Sequence, residues 1–321
     1  MPYVSNDSGD SNKSNVSNVS YKSNTSNVSN NSDNSNTSNV SRVSNKSNAS
    51  NVLYIQFGLL VGLFLLLYYP VITKMVADWG IDDNYSHGYL IPFITGYMIW
   101  TARKDLKEIQ PAPSNLGLIL LICGLCQLLV ARVGSEYFLQ RTSMILVLFG
   151  LSLFLAGKKF TKRVSFPIAY SFFMIPFPAI IWDKIAFPMK LFASYLAVKV
   201  ISLLGIPIFR EGNILHLANT TLEVADACSG LRSLTSLLAL SAALVFFTEH
   251  SKFKKWLLFL SAVPIAILTN IIRLTVTAGL ASKYGEKVAQ GFLHEFSGWL
   301  IFLLGLAMLI GVNALLSVPK R

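Results

Sequence analysis

The chain has 321 residues, 53% of them hydrophobic and only 13% charged, with a formal net charge of +11. Soluble domains carry about a quarter charged residues, so an ordinary water-soluble enzyme is excluded, and three cysteines outside any repeating framework exclude a disulfide-stapled secreted scaffold. On so apolar a chain, the excess of Lys and Arg reads as loops held on the cytoplasmic side of a membrane rather than as a nucleic-acid footprint.

Residues 1–51 form a low-complexity Ser/Asn tract, as in Ser14-Asn15-Val16-Ser17-Asn18-Val19-Ser20. Such a segment buries too little apolar surface to offset its ordering entropy and is expected to be disordered. Its Asn-x-Ser/Thr triplets, such as Asn15-Val16-Ser17, are read as a by-product of the repeat rather than as glycan acceptors. The tract lacks the charged-then-apolar layout of a signal peptide and reads as a tail ahead of a membrane anchor.

The remainder, residues 52–321, is one integral membrane domain. Its apolar runs are Val52–Ile72, Tyr85–Trp100, Leu116–Arg132, Tyr137–Ala156, Val164–Ile181, Ile185–Leu204, Leu231–Phe247, Trp256–Ala281 and Phe296–Leu316. Their lengths suit a bilayer, and backbone groups in hydrocarbon must pair internally, which predicts helices. Basic clusters at Arg103-Lys104 with Lys107, Lys158–Arg163, Lys252–Lys255 and Lys320-Arg321 are assigned to the cytoplasm, and the acidic loop Lys74–Asp83 to the outside. An even number of crossings must separate Lys158–Arg163 from Lys252–Lys255, yet three runs lie between. Ile185–Leu204, which carries Lys190 and Lys199, is taken as an outer interfacial helix. The expected fold class is therefore an all-α polytopic membrane protein with about eight transmembrane helices and both termini inside. Between Gly205 and Asp226 the pattern alternates, with a turn signal at Arg210-Glu211-Gly212, and predicts a small β-ribbon at the outer surface.

This topology puts Cys228, Arg273 and His294 at one depth near the outer leaflet. An Arg well inside a helical span costs about 2.5–3.5 kcal/mol on insertion scales. Arg273 either snorkels outward or faces a cavity, and Asn270 one turn earlier extends the polar stripe. Cys228 is either a small core residue or, at the start of a helix after a strand, a thiolate favoured by the helix N-terminus and by Arg232 and Arg273. With His294 as proton-transfer group, these residues suffice for acyl transfer. Asp226 and Glu223 alternate along the strand beside Cys228, where either could orient Arg232, Arg273 or His294; for Glu223 a solvated edge is the alternative. Ser229 is one of the small residues beside the thiol. His87 is a substrate-contact or supporting residue, or an interfacial polar cap. His216 and His250 are read as surface residues. Cys123-Gly124-Leu125-Cys126 has the spacing of a redox or zinc motif, but it lies mid-span without a further ligand and is read as packing.

These residues resemble the exosortase/archaeosortase family of membrane cysteine transpeptidases. The match is carried by Ser86-His87-Gly88 with Pro92, by Ala227-Cys228-Ser229-Gly230-Leu231-Arg232-Ser233, by Asn270-Ile271-Ile272-Arg273, and by His294 with Gly298. It covers roughly residues 55–316. The resemblance implies an enzyme of the cell inner membrane. Its partners would be exported proteins bearing a C-terminal tripartite sorting signal, similar to PEP-CTERM signals, which it cleaves and passes to a lipid or glycan acceptor. Carried over, Cys228 is the nucleophile, Arg273 the oxyanion or substrate-orienting donor and His294 the proton-transfer residue, with Arg232 in a supporting role. Asp226 stands where the family often has Glu, which keeps the charge. A His at position 294 resembles the bacterial branch, since archaeal members often carry Arg there. No metal or organic cofactor is expected. The competing readings are a transporter or channel, and a non-catalytic scaffold for exopolysaccharide assembly. Convergence of Cys228, Arg273 and His294 would favour the enzyme.

Overall fold

The computed structural model describes the backbone of residues 33–218, 221–224, 230–284 and 292–317, and the side chains within these except at 33–54, 57 and 292–297. In chain order the helices are α1 (Asp33–Ile81), α2 (Ile91–Thr101), α3 (Arg103–Glu108), α4 (Asn115–Val133), α5 (Tyr137–Leu155), α6 (Gly157–Tyr170), α7 (Ala179–Leu203), α8 (Leu231–Phe247), α9 (Lys252–Tyr284) and α10 (Phe292–Ser317). Strands β1 (Ile208–Glu211), β2 (Ile214–Leu217) and β3 (Thr221–Glu223) lie between α7 and α8. The chain divides into two compact units, Met1–Phe64 and Leu65–Arg321. In the first, the described backbone is helical from Asp33 onward. Of the tract expected to be disordered, residues 1–32 lie outside the described residues and 33–51 are helical, since extending a formed helix costs far less than nucleating one.

Six helices are long and apolar enough to cross a membrane: Gly58–Ile81 within α1, then α4, α5, α7, α9, and Gly298–Ser317 within α10. These six are counted among the described residues by length and composition, and the expected count of about eight is not confirmed. Two of the predicted runs are not single helices. Tyr85–Trp100 is divided into a 3-10 turn over Asp83–Tyr89 and the short α2, with Pro92 in the first turn of α2. Val164–Ile181 is broken after α6 by a 3-10 turn at Ser171–Met174, and Ile175 is extended ahead of Pro176, as a residue before proline prefers. Conversely, α7 is a 25-residue helix of span-like hydropathy, although Ile185–Leu204 was expected to lie along the interface. α8, with 17 residues, is apolar but shorter.

α4 and α5 pack backbone to backbone. A Cβ on Gly117 would lie 2.1 Å from the Phe154 nitrogen, and one on Gly150 would lie 2.6 Å from the Leu121 nitrogen. Small residues let membrane helices approach closely enough for dispersion contacts to hold them together. Cys123 and Cys126 are free and exposed on α4 rather than packed inside it.

The predicted ribbon is a three-stranded antiparallel sheet, in order β1-β2-β3. Glu211 pairs with Ile214 across the two-residue turn Gly212-Asn213, and Gly212 supplies the positive φ, 62°, that a tight hairpin needs. Alternation turns Leu215, Leu217 and Leu222 inward, and Glu223 stays on the exposed side. The inward residues, with Val224, share a core cluster with Ala193, Ala197 and Ile201 of α7 and with Leu274, Ala278 and Ala281 of α9. A second cluster joins Leu237 of α8, Leu258, Ala262, Ile265 and Ala266 of α9, and Leu309 of α10. α9 is thus the common support of the sheet and of its two flanking helices.

Candidate active site

Arg273 and Asn270 lie on one face of α9, 8% and 3% exposed. Arg273 therefore does not reach out to solvent; it is held within the bundle, as an intramembrane charge with a role must be. The chain arrives at this face from two sides.

The first side is the start of α8. Gly230 sits at the N-cap with φ 82° and ψ −4°. A Cβ there would meet the Asn270 side chain at 3.0–3.1 Å. Glycine is needed twice, for the left-handed backbone and for the close approach to Asn270. Gly230 itself has no side chain with which to cap α8, whose first turn carries the positive end of the helix dipole. The Nδ2 of Asn270 is buried and has no hydrogen-bond partner among the described residues.

The second side is α10. A Cβ on Gly298 would lie 4.0 Å from Arg273 Nη2, so the guanidinium lies against the helix turn that follows His294. Val224, the last described residue of the ribbon, belongs to the same cluster as Leu274, next to Arg273. The α9 turn at 270–274 is therefore flanked by Gly230 and by α10, and Leu274 shares its core cluster with Val224.

Cys228, Asp226 and Ser229 lie outside the described residues, as does the side chain of His294, whose backbone is part of α10. Arg232 projects from the first turn of α8 to Asp83, 3.0 Å away, and ties α8 to the 3-10 turn. Both groups are well exposed, so this pair contributes little on its own. His87 bridges three elements. Its Nε2 donates to the Phe173 carbonyl at 3.1 Å, which leaves Nδ1 to accept from the Ser236 hydroxyl at 3.4 Å. Burial holds its pKa below the usual imidazole value, against the opposing pull of its bond to Phe173. With both nitrogens engaged, His87 locks the 3-10 turn against α8. His216 lies 3.6 Å from Glu211 on the ribbon, and His250, expected at the surface, bonds Asn313 of α10 at 3.0 Å.

One charged cluster was not anticipated. Arg141, 4% exposed in the first turns of α5, pairs with Asp78 of α1, which Lys74 also contacts at 2.9 Å. The signal was Gln140-Arg141 at the head of an otherwise apolar run. Asp78 and Arg141 border a recess of about 360 Å³ that also takes in Asp82, Tyr85, Glu136 and Pro176. Burial pushes the Tyr85 hydroxyl up to about 12, and it accepts the Phe177 N–H at 3.2 Å.

The arrangement on α9 offers a fixed guanidinium and an amide donor beside a helix N-terminus. That is a donor set for charge developing on oxygen and for a thiolate. No curated protein and no solved structure matches the chain. The sequence profile of the transmembrane exosortases matches residues 79–311, which spans the 3-10 turn with His87, the ribbon, the α8 junction and the α9–α10 face. By that match the chain belongs to the transmembrane exosortase family.

Proposed function

We propose that this membrane protein is a cysteine protease or transpeptidase that cleaves the C-terminal sorting signal of exported proteins. The Cys228 thiolate attacks the scissile carbonyl carbon, and Arg273 stabilises the oxyanion, with the Asn270 amide as a second donor. The C–N bond breaks as His294 gives its proton to the departing amine, leaving a thioester on Cys228. An acceptor nucleophile or water, deprotonated by His294, then attacks the thioester, and the thiolate is released. Asp226 and Ser229, close to Cys228 in sequence, are assigned supporting roles. Arg232 and His87 position α8 through Asp83, Phe173 and Ser236.

The observation that carries this reading is the contact of Gly230 with Asn270, one turn from Arg273, with Gly298 at the Arg273 guanidinium. Cys228 is two residues from Gly230, so covalent geometry alone keeps their Cα atoms within about 8 Å. His294 is four residues, about one helical turn, before Gly298. The basic ends at Lys158–Arg163 and Lys252–Lys255 support a multi-pass orientation in the cell inner membrane with those loops and both termini in the cytoplasm. A substrate anchored by its own helix would then meet Cys228 at the outer leaflet, with its basic cluster left inside.

The test is mass spectrometry of a candidate substrate's C-terminus in cells carrying either the native enzyme or Cys228→Ala. The native enzyme yields a shortened C-terminus, and the variant inserts normally but leaves the substrate full length. A substrate that matures to the same C-terminus in the variant would remove Cys228 as the nucleophile.

A further inference from the structure

At the opposite end of α9 from Arg273, about 30 Å along the helix, lies an apolar groove of about 410 Å³. Phe166, Phe173, Trp256 and Phe259 form its walls. It is formed by α6 and the turn that follows it, by α8, and by the first turns of α9.

Three observations identify its occupant. First, its mouth is cationic. Lys252 and Lys255 both line it, as residues three apart on a helix share a side, whereas Lys254 turns away to donate to the Leu316 carbonyl of α10. Among the described residues, Lys252 and Lys255 make no ion pair. Second, these lysines stand in the first turn of a 33-residue helix, whose N-terminal N–H groups add to the positive field. Third, Tyr170 lines the groove while only 2% exposed, and its hydroxyl has no hydrogen-bond partner among the described residues. The groove therefore combines aromatic walls, a buried polar group and a positive rim at one membrane face.

We infer that this groove binds an anionic glycerophospholipid, with an acyl chain along the aromatic walls and the phosphate on Lys252 and Lys255. A zwitterionic lipid would fill the apolar part equally well but would gain less from the two charges. A basic-tailed peptide would set like charges against them.

The experiment uses the full chain in phosphatidylcholine vesicles doped with a phospholipid carrying a diazirine on its acyl chain. The headgroup is phosphatidylglycerol in one arm and phosphatidylcholine in the other, at equal mole fraction, with crosslinks mapped by peptide mass spectrometry. Labelling of residues 252–259 and 166–173 should be roughly thirtyfold greater from phosphatidylglycerol, in keeping with two lysines near the surface. The double variant Lys252→Gln/Lys255→Gln should bring it down to the phosphatidylcholine level. Labelling at the exposed α4 face around Ile119 and Ile122 should not change in that variant, which reports an intact fold. Equal labelling by both lipids in the native protein, a preference that survives the double variant, or absence of lipid crosslinks from the groove would each overturn the inference.

Discussion

Replacing Gly230 by Ala tests the geometry at the centre of the candidate site. A side chain at φ 82° costs about 1–2 kcal/mol relative to glycine in the left-handed region. The new Cβ would also press on the Asn270 side chain at 3.0–3.1 Å. Asn270 is 3% exposed and cannot swing into an open space, so it must leave its rotamer by tens of degrees, at about 0.5–1.5 kcal/mol. The loss of glycine's freedom in the unfolded chain returns about 0.4–1 kcal/mol. The net expectation is a destabilisation of about 1–3 kcal/mol, read as the shift in free energy from reversible SDS unfolding in detergent. The two contributions separate in a double-mutant cycle. In an Asn270→Ala background the steric part disappears and the backbone part stays, so Gly230→Ala should cost about 1 kcal/mol less there. An identical cost in both backgrounds would refute the packing of the α8 junction on Asn270. A cost near zero in both would refute the left-handed turn as well.

Three further outcomes follow from the charged groups. Asp78→Asn leaves Arg141 buried without its carboxylate and should cost about 3–5 kcal/mol. Arg141→Gln leaves Asp78 still paired to Lys74 and partly exposed, and should cost less, roughly 1–2 kcal/mol; equal losses in the same unfolding assay would contradict the asymmetry. His87, with its pKa lowered by burial, is less protonated in the folded than in the unfolded chain just below about pH 6.5. Its contribution to stability is therefore complete above that pH and is lost as the pH falls toward the folded-state pKa. His87→Gln should flatten the unfolding profile in that window, and an unchanged slope would argue against the neutral bridge to Phe173 and Ser236. Arg232→Gln removes an exposed pair with Asp83 and should change stability by less than about 1 kcal/mol, and a larger loss would mean that Arg232 carries more than this contact.

What could be read from the residues alone was whatever depends on local pattern or on the cost of a charge in an apolar run. The ribbon was legible because Ile214-Leu215-His216-Leu217 alternates and Gly212 marks its turn, and both features act within a few residues. Arg273 and Asn270 were legible because no hydrophobic packing explains a guanidinium and an amide one turn apart in such a helix. The broken spans were not. A hydropathy window over Tyr85–Trp100 averages across the 3-10 turn, whereas that turn is held by partners far along the chain: His87 donates to the Phe173 carbonyl at 3.1 Å and the Tyr85 hydroxyl accepts the Phe177 N–H at 3.2 Å. Arg141 escaped notice for the same reason. At the head of α5 it reads as a helix-end residue, and only Asp78 on another helix makes it a buried pair. Arg141 and Arg273 thus differ in how far the sequence announced them. Arg141 is explained by Asp78, a partner 63 positions away that makes its charge a link between α1 and α5. Arg273 stands mid-helix in an apolar run, where the cost of a charge is visible without any partner being known. What only the structure adds is its setting: the guanidinium lies against Gly298 of α10, and Asn270, one turn earlier, lies against the left-handed turn at Gly230 of α8, so three helices meet at this one stretch of α9.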